Sequence, residues 1–165
     1  TASFKSTTEL SIHDDNSDKE AEVISSKKII IATGSKPKEI PSLPIDGENI
    51  VTSDHDIAFA DIPTKLAVVG AGAIGLELGS VWSRLGAKVD VIEFLPQILA
   101  GYDKDIADQS QKIFKKQGLN FHLNTKVTDC KTDKKQVVLK LESNGKNRQF
   151  GSRQSTRCNW KSSQY

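Results

Sequence analysis

The clearest hydrophobic patterning lies between Lys65 and Phe94, where segments of different period follow one another. "KLAVVG" is a short, continuous apolar run, as expected of a strand buried on both faces. In "AIGLELGSVWSRLG", Ile74, Leu78, Val81, Trp82 and Leu85 recur at helical spacing, with Gly86 as the stop. "AKVDVIEF" returns to the strand pattern, giving a parallel strand–helix–strand unit. Downstream, "DKDIADQSQKIFKKQG" predicts an amphipathic helix with Ile106, Ile113 and Phe114 inward and Gly118 at its end. "LNFHLNTKV" and "QVVLKLES" alternate as strands.

Upstream the signal is weaker. Residues 2–12 alternate loosely (Phe4, Leu10, Ile12), as in a solvated antiparallel strand, and "HDDNSDKEA" reads as a turn. "AEVISSKKIIIATGS" ends in the apolar triplet Ile29–Ile31 and then Gly34, which predicts a buried strand emptying into a glycine turn. Residues 36–63 hold Pro37, Pro41, Pro44 and Pro63, so an irregular connector is expected there. It has room for one short helix over "SDHDIAFA", with Ser53 as N-cap. A domain boundary is placed near residue 63.

Gly70-x-Gly72-x-x-Gly75 falls between the predicted strand and helix, where a dinucleotide fingerprint belongs. Gly70 permits the tight turn, Gly72 admits a pyrophosphate close to the backbone, and Gly75 lets the helix pack near the strand. The helix N-terminus then offers N–H groups and a positive dipole end to phosphates. Glu93, 18 residues after Gly75, closes the second strand where a carboxylate accepts from the adenosine ribose. That acid repels a 2′-phosphate, and no arginine directly follows it, which favours NAD over NADP. Gly79 is read as a packing glycine that lets the helix lie flat.

Composition narrows the remaining classes. At 165 residues with 36% hydrophobic and 27% charged content, the chain fits a globular protein with its own core. No run approaches the ~20 apolar residues of a membrane span. Cys130 and Cys158 match no redox spacing, and His13, His55 and His122 are isolated, so no metal site is expected. The net charge of +2 includes five basic residues after Glu142, and without them the chain sums to −3. That basic tail lacks a stacking pattern, so nucleic-acid binding is not expected. The N-terminal "TASFKSTTEL" has no initiator Met, signal core or transit-peptide bias, and the chain is expected to begin inside a larger protein.

With these motifs in view, the sequence resembles the FAD- and NAD-linked disulfide oxidoreductases, and among them the dihydrolipoamide-oxidising members. The resemblance covers roughly residues 1–145. It is carried by "IIIATGSKP", "DGENIVTSDHDIAF", "VVGAGAIGLELGSVWSRLGAKVDVIEF" and "KIFKKQGLNFHLNTKV". It implies an α/β fold in which a Rossmann-like NAD-binding domain, with βαβ units and a mostly parallel sheet, follows the end of an FAD-binding domain. Residues 1–63 would be the C-terminal part of the FAD domain and connector, and 64–145 an incomplete NAD domain.

The resemblance implies that Gly70, Gly72, Ala73, Ile74 and Gly75 line the NAD pyrophosphate turn. Glu93 would hold the ribose, and Glu77 would reach toward the nicotinamide. Ala32, Thr33 and Gly34 match the segment that approaches FAD. The parent would be a homodimeric flavoenzyme serving 2-oxo-acid dehydrogenase complexes, with lipoyl domains as substrate. It would reside in the mitochondrial matrix of a eukaryote or the cytoplasm of a bacterium. The family's redox disulfide and catalytic His–Glu pair match nothing in this chain, so no catalytic residue is assigned. By itself the chain is expected to bind NAD weakly at best and not to turn over. The alternatives are another disulfide reductase, such as the NADPH-linked ones that usually carry arginines near Glu93, and a non-catalytic nucleotide-binding module.

Residues 146–165 do not fit the pattern. "FGSRQSTRCNWKSSQY" has no periodicity or apolar run where the family has another buried strand. The sheet is therefore expected to lack that strand and to leave an edge unpaired, which invites aggregation. Read one base later with permitted codons, Ser155–Gln164 can spell V-L-V-A-I-G-R-[A/V]-P-N, which resembles the family's strand and turn at that place. A one-base slip between about Gly145 and Arg153, a sequencing error or a real frameshift, accounts for the match. An ordered tail would count against it.

Overall fold

The computed structural model describes residues 1–13, 22–34, 40–56, 59–133, 136–151 and 156–160. Of the turn expected over residues 13–21 all but His13 lies outside them, as do Ile57 and Ala58 of the expected short helix. The chain divides into two compact units, Thr1–Ser35 and Lys36–Tyr165.

The first unit is an antiparallel sheet of β1 (Ala2–Phe4), β2 (Glu9–Ile12) and β3 (Glu22–Ser25), in that order. The loose alternation of residues 2–12 is thus a hairpin, with Phe4 opposite Leu10. The buried strand expected at Ile29–Ile31 does not form: Ile30 is 90% exposed and Ile31 71%. An apolar strand of that kind is stable only between neighbouring strands and covering layers. Among the described residues none pairs with it as a strand.

In the second unit, β4 (Ile50–Val51) and α1 (Ser53–Asp56) precede β5 (Lys65–Val69), α2 (Ala73–Arg84), β6 (Lys88–Ile92), α3 (Lys104–Lys116) and β7 (Asn120–His122). The meander β8 (Thr125–Asp133), β9 (Gln136–Ser143) and β10 (Lys146–Phe150) comes next, then β11 (Thr156–Trp160). A parallel five-stranded sheet runs β4-β11-β5-β6-β7, as the α/β reading requires. Strands β5 and β6 are buried on both faces. Leu66, Val68, Val89 and Val91 pack with Leu76, Trp82, Ile98 and Ala107 on the helical side. Ala67, Val69 and Ile92 pack with Val127, Val137, Leu139 and Leu141 of the meander on the other.

Several expectations shift in phase. The inward face of α2 is Gly75, Leu76, Gly79, Ser80 and Trp82, while Val81 and Leu85 are exposed. The glycines decide this, because the face with least bulk approaches the sheet closest, and a methyl at Gly79 would lie 3.4 Å from Val89. On α3 the buried residue is Ala107, with Phe114 half-buried, whereas Ile106 and Ile113 face out. Again the small side chain takes the close approach.

"LNFHLNTKV" is two strands rather than one, broken at Asn124, whose φ is +50°. The connector contributes Leu43, Ile50 and Val51 to the core of the second compact unit, Lys36–Tyr165. Helix α1 starts at Ser53 itself, so Ser53 is not its N-cap.

The tail departs most from expectation. Instead of leaving an edge open, Thr156–Trp160 enters the parallel sheet between β4 and β5, with Thr156 opposite Lys65 and Trp160 opposite Val69. Residues 152–155 and 161–165 lie outside the described residues.

Candidate functional site

At the C-terminal ends of β5 and β6 the glycine loop and Glu93 come together. Gly70 has φ +105°, a conformation L-residues rarely adopt, and donates its N–H to the Ile92 carbonyl at 2.8 Å. Gly75 is required for a different reason: a Cβ there would lie 2.5 Å from the Gly70 carbonyl oxygen and 3.1 Å from Val68 Cγ1. Gly72, the residue preceding α2, has φ −77° and ψ 175°, extended backbone open to any residue. Its own conformation therefore does not demand glycine, whereas a ligand approaching the backbone would.

Glu93 is half-buried and uses both carboxylate oxygens on the surrounding backbone. Its Oε2 accepts from Ala71 N–H at 2.7 Å and its Oε1 from Leu95 N–H at 2.8 Å. The carbonyl of Ala71 in turn accepts from Leu99 N–H at 2.8 Å. Leu99 holds φ +50°, a conformation that costs a non-glycine residue about 1–2 kcal/mol, and the adjacent Ile98 anchors it in the core. The segment after Glu93 thus folds over the glycine turn and fixes it from outside. Sequence reading missed Ala71, Leu95 and Leu99, because their parts are played by backbone atoms. The apolar pair Ile98–Leu99 after Pro96 was the one available signal.

The residue before α2 makes no side-chain capping bond, and its first turn carries no acid. The first intrahelical bond runs from Leu76 N–H to the Gly72 carbonyl. Helix geometry leaves the N–H groups before it without an intrahelical acceptor, next to an uncompensated positive dipole end. Oxyanions of a pyrophosphate suit that arrangement. Ala73 is exposed and Ile74 half-buried at this end, and Glu77 is exposed one turn further along. Ala32, Thr33 and Gly34 belong to the other unit, where they are exposed and Gly34 has φ +72°.

Cys130 is half-buried, and burial, followed by the charges of Asp129 and Asp46, pushes its thiol above the ordinary range. Such a shift opposes thiolate chemistry. Among the described residues no group of three or more His, Cys, Asp or Glu could hold a metal ion, and no helix is long and apolar enough to cross a membrane.

Comparison with known proteins extends this picture. A family model described as pyridine nucleotide-disulphide oxidoreductase matches residues 3–151. Leghemoglobin reductase of Glycine max is 45% identical over 137 residues, which cover 83% of this chain and 26% of that protein. Mitochondrial dihydrolipoyl dehydrogenase of Dictyostelium discoideum is 45% identical over 134 residues, covering 80% of this chain and 27% of the relative. The chain therefore spans about a quarter of the length of these curated relatives. Among solved structures, a Cu(II) complex of the HOCl-induced flavoprotein disulfide reductase RclA from Escherichia coli is similar, with TM-score 0.66 and 25% identity. That match covers 98% of this chain and 35% of the other.

Proposed function

The chain belongs to the pyridine nucleotide-disulphide oxidoreductase family, and we propose that it is the NAD-binding part, with the closing segment of the FAD-binding part, of a dihydrolipoyl dehydrogenase. The observation that carries the NAD half is the Glu93 carboxylate bonded to Ala71 N–H inside the glycine turn. It sets the acid and the phosphate-facing backbone in one rigid unit. Gly70, Gly72, Ala73, Ile74 and Gly75 form the pyrophosphate turn, Glu93 orients the ribose, and Glu77 reaches toward the nicotinamide. NAD, when bound, supplies the hydride acceptor. The residues of this chain hold and orient it. The FAD assignment of Ala32, Thr33 and Gly34 rests on the resemblance of "IIIATGSKP" alone.

The complete enzyme would be a homodimer that oxidises the dihydrolipoyl groups of 2-oxo-acid dehydrogenase complexes. It would act in the mitochondrial matrix or, in a bacterium, the cytoplasm. No residue of this chain is assigned a catalytic role, and the isolated chain binds NAD without turning over. A second reading, a different flavoprotein disulfide reductase, is favoured by the likeness to RclA. The distinction from NADPH-linked members rests on Glu93.

Titration calorimetry of the 165-residue chain with NAD⁺ and NADP⁺ tests the proposal. Weak binding of NAD⁺ with NADP⁺ at least tenfold weaker, and a narrowed gap in Glu93→Gln, is the expected result. Equal affinities in the wild-type chain would remove the NAD assignment.

A further inference from the structure

The main chain at Glu93 is held from the neighbouring edge of the sheet. Glu93 N–H donates to the His122 carbonyl at 2.9 Å, and the Glu93 carbonyl accepts from Thr125 N–H at 2.9 Å. Asn124 N–H donates to the Leu95 carbonyl at 3.1 Å. These partners lie on β7, in the turn after it and at the start of β8. β7 is only three residues long and ends the sheet, so among the described residues β6 is its one strand neighbour. A short edge strand of this kind opens readily unless side chains hold it. The His122 side chain is tied down from two sides. Its Nε2 lies 2.8 Å from Oδ1 of Asp90 on β6, and its ring meets Phe150 of β10 edge-on, with centroids 5.5 Å apart. A carboxylate accepts, so Nε2 is the donor. The Asp90 side chain is only 17% exposed, on the face of β6 that also carries Ile92 into the core. A carboxylate placed there is costly without a donor.

We infer that Asp90 and His122 form a positioning pair for the Glu93 carboxylate. For its effect on a ligand the inference rests on the dinucleotide reading of Glu93, and it goes beyond that reading by naming the side chains that set the acid in place. His122 meets β6 at two points, by its side chain at Asp90 and by its carbonyl at Glu93. The first contact pins β7, and β7 with the turn behind it carries the main chain of Glu93. Where that main chain sits decides whether the two carboxylate oxygens reach Ala71 N–H and Leu95 N–H. Neither member of the pair touches the glycine turn, so both act through Glu93. The ion pairs Lys140–Asp129 and Lys104–Asp108 differ, because they lie within the meander and within α3 and their carboxylates are more exposed. A charge-assisted bond needs both members. Removing either one therefore has the effect of removing both.

Amide hydrogen exchange in the full chain reads the place of the carboxylate directly, since Ala71 N–H and Leu95 N–H are its two donors. In His122→Ala and in Asp90→Ala these two amides should exchange about 2- to 30-fold faster, the range that coupled positions give. Val68 and Val91 in the core should keep their parental rates. The double variant should match the single ones, and His122→Gln, whose amide can still donate to Asp90, should restore protection. NAD⁺ affinity, titrated on the same samples, should fall in step with the loss of protection. Unchanged exchange at Ala71 and Leu95, acceleration shared equally by Val68 and Val91, or failure of Gln to rescue overturns the pair. NAD⁺ affinity that stays at the parental value while exchange quickens overturns its link to the ligand. If exchange responds as expected and the parent binds no NAD⁺ at millimolar concentration, the dinucleotide reading falls and the positioning of Glu93 stands.

Discussion

Gly75 and Gly79 lie one turn apart on the same face of α2, yet alanine at the two positions has opposite consequences. At Gly75 the new methyl would sit 2.5 Å from the Gly70 carbonyl oxygen and 3.1 Å from Val68 Cγ1. The first neighbour is backbone in the glycine turn, so it yields only if α2 and the turn separate. Overpacking of this kind costs about 1–3 kcal/mol, and backbone contact places Gly75→Ala at the upper end. Replacing a glycine in the first helical turn returns at most the value of an interior position, about 1 kcal/mol, leaving a net loss of about 2 kcal/mol. At about 2–4 °C per kcal/mol for a chain of this size, the thermal midpoint falls by about 4–8 °C. At Gly79 the nearest atoms would be at 3.4 Å and 3.6 Å, ordinary van der Waals contact, so only the helix-propensity gain remains. Gly79→Ala is therefore neutral to about 1 kcal/mol stabilising. Urea denaturation followed by circular dichroism separates the two. A Gly75→Ala variant as stable as the parent, or a Gly79→Ala variant losing more than about 1 kcal/mol, would refute the packing argument.

Gly72→Ala should leave stability within about 1 kcal/mol, since its backbone is already extended, while weakening NAD⁺ binding, and the two effects are read by thermal melting and calorimetry on one sample. A loss of stability without a loss of binding would assign Gly72 to packing. For Cys130, burial raises the folded thiol above its unfolded value. Its contribution to stability is thus complete below about pH 8.5 and declines as pH rises through the folded value. Urea midpoints between pH 7 and pH 9.5 should fall more steeply for the parent than for Cys130→Ala, and parallel profiles would contradict this.

The parts of the fold that were legible are those where local chemistry and tertiary context agree. "KLAVVG" and "AKVDVIEF" are parallel strands because their side chains are buried on both faces, and Gly70 and Gly86 mark real left-handed turns. Helix existence was readable and Trp82 and Phe114 do pack on the core, but the rest of the helix phase was not. On α2 and α3, apolar spacing nominated Val81, Leu85, Ile106 and Ile113, and the sheet selected glycine and alanine instead. Periodicity measures where hydrophobicity lies. Close approach is set by side-chain volume. At the site, the glycines and the acid could be named from spacing, but the bond between Glu93 and Ala71 could not. A main-chain N–H has no signature in the sequence. The apolar triplet Ile29–Ile31 shows the converse limit, because a strand pattern without strand neighbours does not form a strand.

The last strand sets position against composition. Residues 156–160 pair with both β4 and β5, a place in a parallel sheet that normally takes a continuous apolar run. The sequence offers Thr-Arg-Cys-Asn-Trp, with Arg157 opposite Leu66 and Asn159 opposite Val68. An ordered strand counts against a one-base slip on the criterion that a frameshifted tail joins no sheet. The chemistry of the place counts for it: the neighbouring frame supplies Leu-Val-Ala-Ile-Gly at the same five positions, an apolar run like that of β5, which Gly70 follows. We propose the slip on that ground. Resequencing the coding DNA across residues 145–165 decides it. A frame that continues through Val-Ala-Ile-Gly-Arg makes the basic tail an artefact and gives this sheet the apolar strand its centre requires. A clean frame through Tyr165 overturns the slip.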